Sequence, residues 1–310
     1  MRRRDVCVGH AAEETEAFPK EAAMCRWLAY SGSPILLEEL LYKPVHSLID
    51  QSQHSRMGVE TTNGDGFGIG WYGIDDSSSL PGARRNDVPV LFRGIGPAWG
   101  DQNLRELARS TSSGLFLAHI RASTGTPVQQ SNCHPFRYER WLWVHNGAIH
   151  DFGTLKRDLV LAVDPQLYPA MAGSTDSEVM FFLALTFGLR DDPVAAVERM
   201  VGFVEAVARR HGVPDAMQMT VATTDGERLW GFRYSTAGQS RTLYVSSALS
   251  ALRELYPENP VFAGLDDETR VVVSEPLGDL VGAWNPIPES SYGVVEAGDD
   301  TLGHFEPREP

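Results

Sequence analysis

Cysteine is scarce in this 310-residue chain: Cys7, Cys25 and Cys133 are the whole set. An odd, sparse set does not describe a disulfide framework. Neither C-x-x-C nor H-E-x-x-H occurs, and the spacing of His134, His145 and His150 fits no ligand pattern. No metal and no cofactor is therefore expected. Long apolar runs are missing too, since no stretch approaches the ~20 uninterrupted apolar residues of a membrane-spanning helix. Met1-Arg-Arg-Arg4 carries the charge of a signal-peptide start, but residues 5–23 mix acids with Ala, Pro and Lys where an apolar segment should follow. The expected compartment is the cytoplasm. Positive charge is in deficit: the formal net charge of −14 argues against nucleic acid and against an anionic membrane surface as partners. Repeats and low-complexity linkers are absent as well, which leaves no internal domain boundary.

What is present begins at residue 24, where the texture changes. Residues 1–24 hold no periodic apolar pattern and read as a leader, expected to be absent from the mature protein or cut off it. Residues 25–310 read as a single domain. Cys25-Arg-Trp-Leu-Ala-Tyr-Ser31 has the β-formers of a strand, and residues 35–42 and 44–51 read as short helices, the second opening on Pro44. In Gly64-Asp-Gly-Phe-Gly-Ile-Gly-Trp-Tyr72 glycine falls at every second position, so a strand here has one bare face. That face suits close packing against a second sheet, or a ligand. Further strands are expected at 88–93, 114–121, 140–145, 216–223, 228–235, 241–247, 269–274 and 292–297. Helices are expected at about 101–110, 176–188 and 192–211. Strand runs around a central helical pair predict an α+β fold, two stacked, mainly antiparallel sheets with helices outside.

Four patches carry candidate chemistry, each beside a plainer explanation. Cys25 is a commonplace buried cysteine unless the chain before it is removed. With the leader gone it owns both a thiol and an α-amine titrating at about 7.7–8.0, so nucleophile and base share one residue. Arg121, in His119-Ile-Arg-Ala-Ser-Thr-Gly-Thr-Pro127, suits either a structural ion pair or a fork onto a substrate carboxylate. Asn146-Gly147, inside Trp141-Leu-Trp-Val-His-Asn-Gly-Ala-Ile149, is a strong hairpin signal, and equally a pair of donors for an oxyanion. In Ser174-Thr-Asp-Ser-Glu178, Thr175 and Glu178 form a capping box, while Asp176 suits the helix dipole or a substrate ammonium.

Taken in order, an early Cys, H-x-R-x-S-T, Asn132-Cys-His-Pro-Phe136, H-N-G and S-T-D-S-E resemble the class II, or N-terminal-nucleophile, glutamine amidotransferases. The likeness spans residues 24 to about 297. It is nearest to a stand-alone branch that includes the ergothioneine-pathway γ-glutamyl hydrolase and the fungal glutathione-degradation amidase subunit. The resemblance implies a four-layer αββα sandwich. It also implies Cys25 as a nucleophile forming a γ-glutamyl thioester, with its own amine as base. Asn146 and the Gly147 N–H would form the oxyanion hole. Arg121 would hold the substrate α-carboxylate and Asp176 its α-ammonium, with Thr124 and His134 lining the pocket. The expected substrate is glutamine or a γ-glutamyl conjugate, with water as acceptor. Alternatives are an ammonia-donating glutaminase serving a synthase or amidase-complex partner subunit, a Cys–His hydrolase using Cys133 or Cys25, and a non-catalytic binding protein.

Overall fold

The computed structural model describes residues 25–56, 62–73, 87–122, 126–258, 264–296 and 299–310. The expected leader at 1–24 and the candidate Thr124 lie outside the described residues. Two sheets, antiparallel at every paired edge, form the centre. The first has seven strands in the order β11 (Trp284–Pro286), β9 (Tyr244–Ser246), β10 (Arg270–Val273), β1 (Arg26–Leu36), β4 (Ser112–Ile120), β2 (Phe67–Trp71) and β3 (Val90–Gly94). The second has six, β13 (Asp299–His304), β12 (Ser291–Glu296), β8 (Leu229–Ser235), β7 (Met217–Thr224), β6 (Trp141–Ile149) and β5 (Phe136–Tyr138).

Strand alternation sorts the side chains into layers. Trp27 and Ala29 of β1 meet Leu142 and Val144 of β6 in the slab between the sheets. Leu28 and Tyr30 turn outward, under α1 (Glu38–Leu41), α2 (Leu48–Gln53) and α3 (Gln102–Ser110). Trp143 and Ile149 of β6 turn the other way, under α4 (Phe152–Leu161), α5 (Asp176–Thr186) and α6 (Pro193–Arg210). The result is the expected four-layer αββα sandwich. A short α7 (Leu249–Leu255) packs Leu249 and Leu252 against Ala283 and Trp284 at the edge of the first sheet. Among the described residues no helix is long and apolar enough to cross a membrane.

Two sequence expectations change, and a third, close packing on the glycine face, is met. Pro44 does not open a helix; Ser47 caps α2, its Oγ accepting the Asp50 N–H at 3.2 Å. Asn146-Gly147 makes no hairpin turn. Both residues lie inside β6, paired with Thr220 and Met219 of β7. Gly147 is there because its φ is +147° and a Cβ would sit 2.0 Å from the Gln218 carbonyl oxygen. The bare face of β2, lastly, holds packing and leaves no ligand space. A Cβ on Gly68 would fall 2.2 Å from the His134 carbonyl oxygen, and one on Gly70 would fall 2.9 Å from Leu142.

Candidate active site

Cys25 stands immediately before β1, which runs between β4 and β10. Its Sγ lies 3.4 Å from the Ala122 N–H and 3.5 Å from the Ala122 oxygen, just past the end of β4. Burial pushes the thiol pKa up. The Ala122 N–H and the charges of Arg121 and Arg26 pull it back only in part, and Asp176 adds to the rise. The thiol is therefore protonated near neutrality and needs a base to act as a nucleophile.

Arg121 follows β4 and is 3% exposed. Its guanidinium donates to the Asp65 carbonyl at 3.3 Å and to Thr126 Oγ1 at 2.5 Å, which hold it in place. Asp176 opens α5. Its Oδ2 takes the Ile149 N–H at 2.9 Å, pinning the helix to the end of β6, and its Oδ1 takes the Ser177 N–H at 2.8 Å. A carboxylate has about four acceptor sites, so capacity remains for a further donor. Only half of the capping box forms: Thr175 Oγ1 accepts the Glu178 N–H at 3.2 Å, whereas Glu178 reaches back to the N–H groups of Ala172 and Gly173. Asn132 fastens the same loop, its Oδ1 taking the Ser174 N–H at 2.9 Å. That gives the Asn-x-His-Pro-Phe stretch a job in placing Asp176.

Asn146 belongs to the alternation class of Leu142 and Val144, so its side chain faces the slab that Cys25 adjoins. A relay joins the two strands: Trp27 Nε1 donates to Thr220 Oγ1 at 3.2 Å, and Thr220 Oγ1 donates to the Asn146 carbonyl at 3.4 Å. Behind Asn146 lies a stack of histidines. His145 Nδ1 sits 2.8 Å from Ser177 Oγ, and His119 Nε2 sits 3.2 Å from the His145 carbonyl. The His134 ring lies 4.1 Å from that of His119, and neither of its nitrogens has a partner among the described residues. Burial drives all three pKa values down, His119 to about 3, so the rings are neutral. The structure places His134 in this buried stack, its ring also 4.5 Å from that of Phe136.

Two features escaped the sequence. Glu275 lies 249 residues from Arg26 and is 2% exposed, as is Arg26. Its carboxylate takes Arg26 Nε at 2.7 Å, His46 Nε2 at 2.5 Å and the Arg56 N–H at 2.9 Å. Burial pushes this carboxyl upward, but those donors outweigh it and hold the pKa below the usual range. Arg26 in turn donates from Nη1 to the Cys25 carbonyl at 2.9 Å, steadying the backbone of Cys25. The second feature is Arg241, half-buried, whose neighbour Thr242 donates to the Ser274 carbonyl at 2.8 Å, beside the Trp27 N–H that Ser274 Oγ accepts. Cys133, by contrast, is fully buried, its Sγ against the Gly94 carbonyl and within 2.6 Å of where a Gly66 Cβ would stand. Neither described cysteine hydrogen-bonds an imidazole. A cavity of about 910 Å³ opens near the far end of β1, between α1 and α7, and includes none of these residues. Among the described residues no cluster of His, Cys, Asp and Glu is arranged to hold a metal ion.

Comparison with known proteins decides the family. The class II glutamine amidotransferase profile matches residues 42–248. The chain belongs to the class II glutamine amidotransferases. This amidotransferase is 34% identical over 299 residues to DUG3, a probable glutamine amidotransferase of Saccharomyces cerevisiae, a match covering 88% of the chain and 82% of that relative. It is 31% identical over 208 residues to the γ-glutamyl-hercynylcysteine sulfoxide hydrolase of Mycolicibacterium smegmatis, covering 66% of the chain and 81% of that enzyme. The solved structure of a glutamine aminotransferase class-II domain protein from Silicibacter pomeroyi superposes with a TM-score of 0.67 at 30% identity, over 92% of the chain and 100% of its own. The chain is thus an enzyme of the amidohydrolase kind.

Proposed function

We propose that this amidotransferase hydrolyses a γ-glutamyl amide larger than glutamine, with water as acceptor, in a form that begins at Cys25. The observation that supports it most is the placing of a cation and an anion around one thiol: Cys25 Sγ lies 3.4 Å from the N–H of Ala122, next to Arg121 in the chain, and Asp176 is held by the Ile149 N–H at the end of the strand that carries Asn146. Those two charges match the α-carboxylate and α-ammonium of a glutamyl group, and binding both locates the neutral amide carbon beside sulfur.

In the proposed reaction Cys25 Sγ attacks the γ-carbonyl carbon while its proton passes to the Cys25 α-amine. Asn146 and the Gly147 N–H receive the charge that develops on oxygen. The protonated α-amine hands the proton to the leaving nitrogen, the C–N bond breaks, and a γ-glutamyl thioester remains. Water, deprotonated by the same amine, attacks the thioester; the C–S bond breaks, the proton returns to sulfur, and glutamate leaves. With residues 1–24 attached the base is an amide and the cycle stops. The likeness to a γ-glutamyl conjugate hydrolase favours water as acceptor.

The test is a panel of γ-glutamyl amides and glutamine, assayed with protein starting at Cys25. An extended amide should exceed glutamine in kcat/KM, because remote contacts supply transition-state binding. If glutamine is the best substrate and a partner subunit raises its turnover, an ammonia-donating role replaces this one.

A further inference from the structure

Cys25 has a cation on each side, and the two are placed differently. β1 lies between β4 and β10, so the segment leaving β4 flanks Cys25 on one side and the segments gathered at the end of β10 flank it on the other. Arg121 leaves β4. Arg241 belongs to the β10 side: its neighbour Thr242 donates to the Ser274 carbonyl at 2.8 Å, and Ser274 Oγ takes the Trp27 N–H at 3.0 Å.

The connection carrying Arg241 runs from β8 in the six-stranded sheet to β9 in the seven-stranded one, so it crosses the open end of the sandwich. It is tied down on both sides of the crossing. Gln218 Nε2 donates to the Gln239 carbonyl at 2.9 Å, and the Gln218 carbonyl is the group that abuts Gly147. Glu289 takes the Ser240 N–H at 3.1 Å and its hydroxyl at 2.5 Å, and also faces Arg233 at 3.6 Å. That carboxylate serves the backbone of the connection and makes no ion pair with Arg241.

Among the described residues Arg241 has no acidic partner, and its Nε is buried without a hydrogen bond. Burial and the like charge of Arg26 push its pKa down, while Cys25 draws it up. A half-buried, unpaired guanidinium is unfavourable unless an anion arrives to meet it. Arg26 does not compete for that anion, because Glu275 already neutralises it.

We propose that Arg241 is a specificity-determining residue that binds a carboxylate on the leaving amine, so that the substrates are γ-glutamyl amino acids or short γ-glutamyl peptides with a free carboxylate. This rests on the preceding assignment of the glutamyl end to Arg121 and Asp176. With that end on the β4 side, the scissile C–N bond directs the amine toward β10 and Arg241. The planar fork of arginine fits a carboxylate in a bidentate mode.

The experiment compares γ-glutamyl-alanine with γ-glutamyl-alaninamide, which differ only in that charge, using protein starting at Cys25. Glutamine is the third substrate. A charge-assisted contact corresponds to about 10–100-fold in kcat/KM. The wild-type protein should prefer the acid to the amide by that factor, mostly through KM. Arg241→Gln should bring the ratio toward one, and Arg241→Lys should restore part of it. A wild-type ratio near one overturns the proposal while leaving γ-glutamyl amide hydrolysis standing. So does an Arg241→Gln variant that slows acid and amide equally, the mark of a structural role. Turnover of glutamine alone overturns both readings. Should Arg241→Gln fail to fold, the wild-type ratio and Arg241→Lys decide: an unchanged ratio in the lysine variant counts against the assignment.

Discussion

On the outer side of β1, Arg26 and Glu275 sit almost wholly out of water, yet every charge is met: Glu275 takes donors from Arg26, His46 and Arg56. Across the sheet, His119, His134 and His145 are buried as deeply, with few donors or acceptors around them. The two regions settle the same desolvation problem in opposite ways. The first keeps its charges because hydrogen bonds saturate the carboxylate. The second sheds its protons because nothing nearby stabilises an imidazolium enough. Both adjoin the candidate site, the charged region through the Cys25 carbonyl and the neutral one through the His145 carbonyl on the strand that carries Asn146. They should therefore fail differently, one by loss of a partner and the other by a change of pH.

The largest effect should follow from breaking the charged region. Glu275→Ala leaves Arg26 and His46 facing an empty, buried site, and should cost about 3–5 kcal/mol of stability. Urea unfolding measures it, and a loss below about 1 kcal/mol would show that the network carries little of the fold. On the neutral side, Asn146→Ala removes one donor from a residue in mid-strand. It should lower kcat by roughly 10²–10³-fold and leave a folded protein. A fully active variant would remove Asn146 from the oxyanion role.

The histidines give the smallest effect per group. Each has a folded pKa below its unfolded value of 6.5. As pH falls below that value the unfolded chain takes up protons that the folded chain refuses. Their contribution is thus fully present above about pH 6.5 and drains as pH falls toward the folded values. The slope is at most about 1.4 kcal/mol per pH unit for each histidine. Denaturation midpoints between pH 7.5 and 5 should fall, and His134→Phe should flatten the decline. An equally steep decline in that variant would place the titration elsewhere.

Much of this was readable in advance where chemistry sits in contiguous residues. Cys25, Arg121, Asn146 and Asp176 each lie in a short stretch whose order already carries the family, and long strands and helices showed their period. Failures came where tertiary contact overrides local signal. Asn146-Gly147 has the composition of a hairpin turn, but the approach of the Gln218 carbonyl, not a turn, calls for the glycine. The three-residue strands β5, β9 and β11 offer too little sequence to fix their bounds. Glu275 and Arg241 had no signal at all. Each is an ordinary charged residue far along the chain from Cys25, and each gains its meaning only when β10 comes to lie beside β1.

The central claim is that Cys25 is the nucleophile and acts with its own α-amine. Mass spectrometry of the active protein, quenched during turnover of a γ-glutamyl amide, tests it most directly. The polypeptide should begin at Cys25 and carry one γ-glutamyl group on that residue, with none on Cys25→Ala. Fully active protein that retains residues 1–24, or an adduct on Cys133, would contradict the account.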